Sequence, residues 1–200
     1  MNEHLLSIFR QPDALAARGK YLSRIFGIFS EEVVRIWAKD RRCPFEDHGR
    51  PTLRSTGKTR GCTLDFTLRH KSTDLTYVAE LKCEIEFQNY KYFILSDAAQ
   101  LSHHRKEAFR AFLEAAIQPS AQQIFVRGKA QQINGAILIW GAATPEGRKS
   151  AIETYGFHDV LTISEIVHDL RSWNHDAYEH FLEQRRSWSN ELFDGLLAAL

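Results

Sequence analysis

Residues 61 to 87 constrain the fold more than any other stretch, because their hydrophobicity alternates with a period of two. From Leu75 onward the odd positions are Leu75, Tyr77, Ala79, Leu81, Cys83, Ile85 and Phe87, and the even ones are Thr76, Val78, Glu80, Lys82, Glu84 and Glu86. Side chains on a strand point to opposite faces in turn, so this pattern predicts a long strand with one face in a core. Just before it, Cys62, Leu64, Phe66 and Leu68 alternate with Thr63, Asp65, Thr67 and Arg69. Between the two runs, Lys71-Ser72-Thr73-Asp74 has the composition of a hairpin loop.

A symmetric hairpin on that loop sets His70 against Leu75, Leu68 against Tyr77, Phe66 against Ala79 and Leu64 against Leu81. The apolar faces then coincide, as a shared core demands. The same register puts Asp65 across from Glu80, Thr63 across from Lys82 and Cys62 across from Cys83. Directly opposed Cβ atoms lie about 4.5–5.5 Å apart, so two carboxylates placed there repel each other. A divalent cation between them would remove the repulsion. The competing account is a solvent-facing strand with an ordinary Glu/Lys surface.

Asp65, followed on the next strand by Glu80-Leu81-Lys82, resembles the PD-(D/E)XK nuclease superfamily and its restriction-endonuclease-like fold. The sequence departs from that motif at Leu64, where the pattern has proline. The resemblance implies an α/β protein: a three-layer α/β/α core with a mixed central sheet in α-β-β-β-α-β order, plus C-terminal helices. It implies a nuclease that uses Mg2+ or Mn2+ to hydrolyse DNA, leaving 5′-phosphate and 3′-hydroxyl ends. Asp65, Glu80 and the Leu81 backbone carbonyl would hold the metal, and Lys82 would position or activate the attacking water. A glutamate on the helix before the catalytic strands often joins them, and Glu32 matches that role better than Glu31. Glu84, Gln100, His104 and Arg105 are the candidates for supporting the site. A nuclease-like domain without activity, serving as a DNA-binding or subunit-contact module, is the alternative.

Composition bounds these expectations. A chain of 200 residues, 44% hydrophobic and 26% charged, suits one globular α/β domain. It divides into an N-terminal extension at 1–19, a nuclease-like domain at 20–172 and a helical tail at 173–200. The longest apolar run, 136–143, is too short for a bilayer, and the first ten residues lack the pattern of a signal peptide. Three cysteines without a C-x-x-C point to a reducing compartment and away from zinc, so a cytoplasmic location is expected. Residues 1–70 carry 13 Lys/Arg against 8 Asp/Glu, whereas residues 151–200 carry 3 against 9. A basic front half and an acidic tail fit a polyanion approaching one face, though unevenly solvated faces give the same distribution.

Elsewhere the chain is punctuated more plainly. Apolar residues from Leu22 to Trp37 follow the spacing of an amphipathic helix over 20–39. The basic segment 40–61 offers Arg50, Arg54, Lys58 and Arg60 as phosphate contacts, with a short strand at 51–55. Gly57-Lys58-Thr59 is no P-loop, because the first glycine of that motif is replaced by Thr52, so no nucleotide cofactor is expected. Ser96 is the expected cap of one helix running to Ile117, with Arg105 on its apolar side. Strands are expected at 124–127, 136–140 and 159–163; the second is apolar on both faces and therefore central and parallel. Thr144, Pro145 and Gly156 bracket a helix between them, and Ser164 is the expected cap of the next. The terminal apolar stripe from Tyr178 to Leu197 is expected to pack on the core or form a homodimer interface.

Overall fold

The structure is a computed structural model that describes residues 16–55, 60–82 and 93–198. It opens with helix α1 (Ala16–Lys39), which begins ahead of the expected boundary and includes Gly19. Next come strands β1 (Phe45–Asp47), β2 (Pro51–Ser55), β3 (Cys62–Thr63), β4 (Phe66–His70), β5 (Thr76–Lys82) and β6 (Ile94–Leu95). A 3-10 turn (Ala98–Leu101), helix α2 (Glu107–Ile117) and a second 3-10 turn (Pro119–Ala121) lead to β7 (Gln122–Val126) and β8 (Lys129–Gln131). The chain ends with β9 (Gly135–Trp140), β10 (Ala142–Ala143), α3 (Pro145–Tyr155), β11 (Asp159–Thr162), α4 (Ile163–Ser172) and α5 (Asp176–Ala198).

The central sheet has the order β1-β4-β5-β9-β11. Strands β1, β4 and β5 are antiparallel neighbours, and β5, β9 and β11 are parallel, so the sheet is mixed. The hairpin register agrees with the sequence: Phe66 faces Ala79, Leu68 faces Tyr77 and Arg69 faces Thr76. Strand β9 is buried at every position, as its apolar run requires.

Helices cover both faces. On one, α1, α4 and α5 pack Val33, Trp37, Ile166 and Phe181 against Phe66, Leu68, Tyr77, Ala79 and Ile137. On the other, α2 and α3 pack Phe109, Phe112 and Ala151 against Val78, Leu138, Trp140 and Val160. This corrects the expectation that β5 buries a single face. Thr76, Val78 and Glu80 on its even side are as buried as Tyr77 and Ala79 on its odd side, because α2 lies over them. The expected extension of β5 to Phe87 lies outside the described residues.

A second sheet, in the order β3-β2-β7-β8, had no forecast in the sequence. It draws Cys62 and Thr63 away from the hairpin to pair with Leu53 and Thr52. Leu64 consequently packs in the α2 cluster rather than with Phe66 and Leu68. Leu53 and Ile124 turn inward to the same cluster, leaving the other face of this sheet to solvent.

Three helix boundaries also differ from expectation. The expected helix from Ser96 to Ile117 is broken into a 3-10 turn and α2, and the cap of the turn is Asp97. Arg105 therefore sits in the exposed link before α2, not on a helix's apolar side. Thr162, not Ser164, caps α4, its hydroxyl accepting from the Glu165 N–H. Helix α3 is bracketed as expected, with the Thr144 hydroxyl accepting from Gly147 and Gly156 at φ +71°. The tail packs on the core through Tyr178 and Phe181, whereas Trp188, Leu192, Leu196 and Leu197 further along α5 are exposed.

Gly147 marks where α3 presses on the β6 edge. A Cβ there would lie 2.1 Å from the Leu95 carbonyl oxygen and 2.7 Å from Ser96 Cα, both of them backbone. Gly147→Ala is expected to cost about 3 kcal/mol and to lower Tm by roughly 6–12 °C in thermal denaturation. An unchanged Tm would mean that the helix start is not held against the strand.

Candidate active site at the end of β5

The site begins where the β4–β5 ladder stops. His70 donates to Leu75 at the loop end, so every second pair along the hairpin is hydrogen-bonded, through Phe66 and Ala79. The next such pair would be Leu64 with Leu81. Instead the chain bends at Asp65, and the Leu64 N–H donates to the Pro51 carbonyl at 3.0 Å. That leaves the Leu81 N–H facing a gap, and Asp65 Oδ2 accepts it at 3.0 Å. The bend thus converts a surface aspartate into one aimed at the backbone of β5.

Glu80 and Lys82 project from β5 on the α2 side, in the same file as Val78. Lys82 Nζ donates to Glu80 Oε1 at 2.5 Å and lies 3.4 Å from the Leu81 carbonyl oxygen. The Glu80 side chain is only 7% exposed, Asp65 is 13% exposed and Lys82 is 23% exposed. Burial pushes the Glu80 carboxyl above its ordinary range; Lys82 opposes the shift, and the adjacent Asp65 charge adds to it. Glu80 Oε2 is buried with no hydrogen-bond partner, the condition least tolerable for a charged oxygen. Arg50 Nη2 reaches Asp65 Oδ1 at 3.4 Å, and its Nε reaches the Leu64 carbonyl at 3.3 Å. The Arg50 side chain is 54% exposed, so that pair contributes about 0–1 kcal/mol and yields readily to a competing anion or cation.

His104 approaches from the link before α2. Its ring lies 4.6 Å from Phe109 and 6.0 Å from Trp140, the residue paired with Lys82 on β9. Burial first, then the charges of His103, Lys82 and Lys106, push its pKa down to about 3. The imidazole is therefore neutral at neutral pH, where it adds no charge near Lys82.

The other candidates fare differently. The Gln100 amide is engaged in capping: its oxygen accepts from the Ser96 and Asp97 N–H groups and its nitrogen donates to the Ile94 carbonyl. Glu32 is exposed and paired with Arg35 at 2.8 Å, and Glu31 pairs with the same guanidinium at 3.1 Å. Helix α1 approaches the bend through Arg35 instead, whose guanidinium stands 5.3 Å from the Phe66 ring centre. Sequence reasoning missed this, although arginine three and four residues after two glutamates signals such a clasp. Arg54 lies 4.6 Å over the Phe125 ring on the solvent side of the second sheet, and Arg60 is exposed nearby in sequence. Lys58 and Glu84 lie outside the described residues.

Among the described residues no group of three or more His, Cys, Asp and Glu side chains could hold a metal. Two carboxylates and a carbonyl are nonetheless a hard-oxygen set that suits Mg2+, which keeps several waters and takes its remaining ligands from a substrate phosphate. The unsatisfied Glu80 oxygen fits such an ion. The site lies at the end of β5, a central strand between β4 and β9, and Asp65 and Lys82 keep part of their surface exposed. A groove of about 990 Å3 lined by Ala142, Thr162, Ser164 and His168 lies further along, past the ends of β9 and β11.

Fold and site together define a mixed α/β protein carrying a carboxylate–lysine cluster where an antiparallel hairpin parts. Comparison with family models, curated proteins and solved structures gave no match. No helix among the described residues is long and apolar enough to cross a membrane.

Proposed function

We propose that the protein is a metal-dependent nuclease of the PD-(D/E)XK type, with a restriction-endonuclease-like core, acting on phosphodiester bonds in DNA. One observation carries this proposal: Asp65, Glu80 and Lys82 converge on a bend in the sheet, leaving a buried carboxylate oxygen unsatisfied. A structural cluster would be expected to satisfy that oxygen, since leaving it bare costs stability.

Mg2+ or Mn2+ held by Asp65, Glu80 and the Leu81 carbonyl would supply Lewis acidity and lower the pKa of a bound water. Lys82, fixed by Glu80, would hold its ammonium group beside the scissile phosphate and stabilise charge growing on the phosphoryl oxygens. Arg50, on the solvent side of Asp65, would orient the phosphate by paired N–H donors. The His104 ring, set against Phe109 and Trp140, would stay neutral and add no charge near Lys82. Glu32 and Glu84 are held in reserve as supporting acids, and Arg54, Lys58 and Arg60 as contacts to flanking phosphates.

The test is a cleavage panel on duplex, single-stranded, branched and supercoiled DNA with Mg2+ or Mn2+, comparing the native protein with Lys82→Ala. Cleavage by the native protein and a loss on the order of 10²–10³-fold in the variant are expected. Equal cleavage by both would remove Lys82 from the chemistry. A metal titration by calorimetry addresses the second possibility, a DNA-binding module without activity: such a module needs no Mg2+ affinity at β5.

A further inference from the structure

We infer that Arg127, at the tip of the β7–β8 hairpin, is a phosphate-binding residue that extends the DNA path from Asp65 across the second sheet. Three observations meet there. Val126 pairs with Lys129, so the hairpin closes with a two-residue loop of Arg127 and Gly128, at φ +51° and +78°. Both angles positive define a type I′ turn, whose first position favours asparagine, aspartate or glycine. An arginine held in the left-handed region has a less favourable backbone than those residues would, and residues kept in such conformations cluster at functional sites.

The placement of the side chain gives that choice a purpose. Its guanidinium lies against Gly49, where a Cβ would stand 3.6 Å from Arg127 Nε. Gly49 itself has φ +106°, so the turn that receives the arginine calls for glycine. The next residue is Arg50, which touches Asp65. Arg127 therefore continues a file that runs from the carboxylates through Arg50 to the hairpin tip.

Charge completes the case. Arg127 is exposed and forms no ion pair or hydrogen bond with the described residues, so its five donors are available to a ligand. Lys129 follows it on the exposed strand β8, and Arg54 faces outward over Phe125 on the same sheet. The ligand this file fits is a nucleic-acid backbone, whose phosphates repeat along a line. A single free phosphate would use one guanidinium and leave the others unexplained. This inference rests on the nuclease proposal for its direction, from scissile phosphate to flanking phosphates, but its test does not need cleavage.

The experiment measures binding of a duplex DNA oligonucleotide in EDTA, at several salt concentrations, so that neither metal nor hydrolysis enters. Arg127→Asn is the variant of choice, because asparagine suits the turn and preserves the hairpin. The slope of log affinity against log salt is expected to fall in magnitude by about one, the signature of one lost phosphate contact. Arg127→Lys should keep the slope, and Lys149→Gln on α3 should leave it unchanged as a remote charge control. An unaltered slope in Arg127→Asn, or an equal change in Lys149→Gln, would overturn the assignment. If no DNA substrate is cleaved but the slope still falls, the nuclease proposal fails and the binding path stands. If cleavage is seen and the slope does not move, the reverse holds.

Discussion

Asp65→Asn is expected to lower metal-dependent cleavage on the order of 10³-fold or more while leaving the fold intact. The two consequences separate because Asp65 does two jobs. One oxygen accepts the Leu81 N–H, closing the gap left where β4 parts from β5. Asparagine retains an amide oxygen for that bond, so Tm should stay within about 2 °C of the native value. What it loses is the charge and the second anionic oxygen, the features a hard cation needs; several kcal/mol of transition-state stabilisation depend on that ion. Asp65→Ala removes the acceptor as well. It leaves the Leu81 N–H unpaired and should cost a further 1–3 kcal/mol or so in stability. Cleavage rates and thermal melts on both variants check the pair of claims. Undiminished cleavage by Asp65→Asn would mean that this carboxylate holds no ion. Equal melts for the asparagine and alanine variants would mean that the backbone bond carries no weight.

Why the sequence disclosed so much of this site, and where it stopped, follows from the range of each interaction. The hairpin register was legible because alternation fixes which side chains share a face, and Phe66 does face Ala79. The β9 strand and the α3 caps were legible for the same local reason: their signals lie within a few residues. The second sheet was not legible, because β2 pairs with β7 some seventy residues away; within that sheet β2 also pairs with β3, which takes Cys62 and Thr63 out of the hairpin. Alternation kept Leu64 with Phe66, whereas the competing sheet turned it to the opposite cluster. That same departure produces the bend that aims Asp65 at Leu81. The capping role of Gln100 was not legible, because a polar side chain near a turn is drawn to unpaired backbone groups that only the broken helix exposes. The placement of Arg105 on a helix's apolar side was misread because the helix starts two residues later.

Glu80→Gln is expected to make the protein more stable and inactive at once. In the folded chain Glu80 is almost wholly buried, with one oxygen on Lys82 and the other without a donor, since the neighbouring Asp65 carboxyl can bond to Glu80 only through a shared proton. Burial, reinforced by the Asp65 charge, raises its pKa above that of the unfolded chain. The native state therefore binds the proton more tightly than the unfolded state does. Linkage fixes the sign: any stability gained from that proton is fully present below the unfolded pKa and is lost as pH rises through the folded one. Glutamine carries no such charge, so the native-minus-variant difference should widen from acid to neutral pH. The gain at pH 7–8 is expected to be about 1–2 kcal/mol, or roughly 2–8 °C in Tm. Lys82 keeps an acceptor in the glutamine oxygen, so the effect does not come from stranding the ammonium group. Melts of both proteins across pH 4 to 8 in EDTA measure this. A variant less stable than the native protein at neutral pH would mean that the Lys82 pair outweighs the burial cost. Added Mg2+ should then raise the native Tm and leave the variant's unmoved, since a cation relieves the strain only where the charge exists. Stability given up at one buried oxygen, and recovered when an ion arrives, is the behaviour expected of a side chain retained for binding rather than for folding.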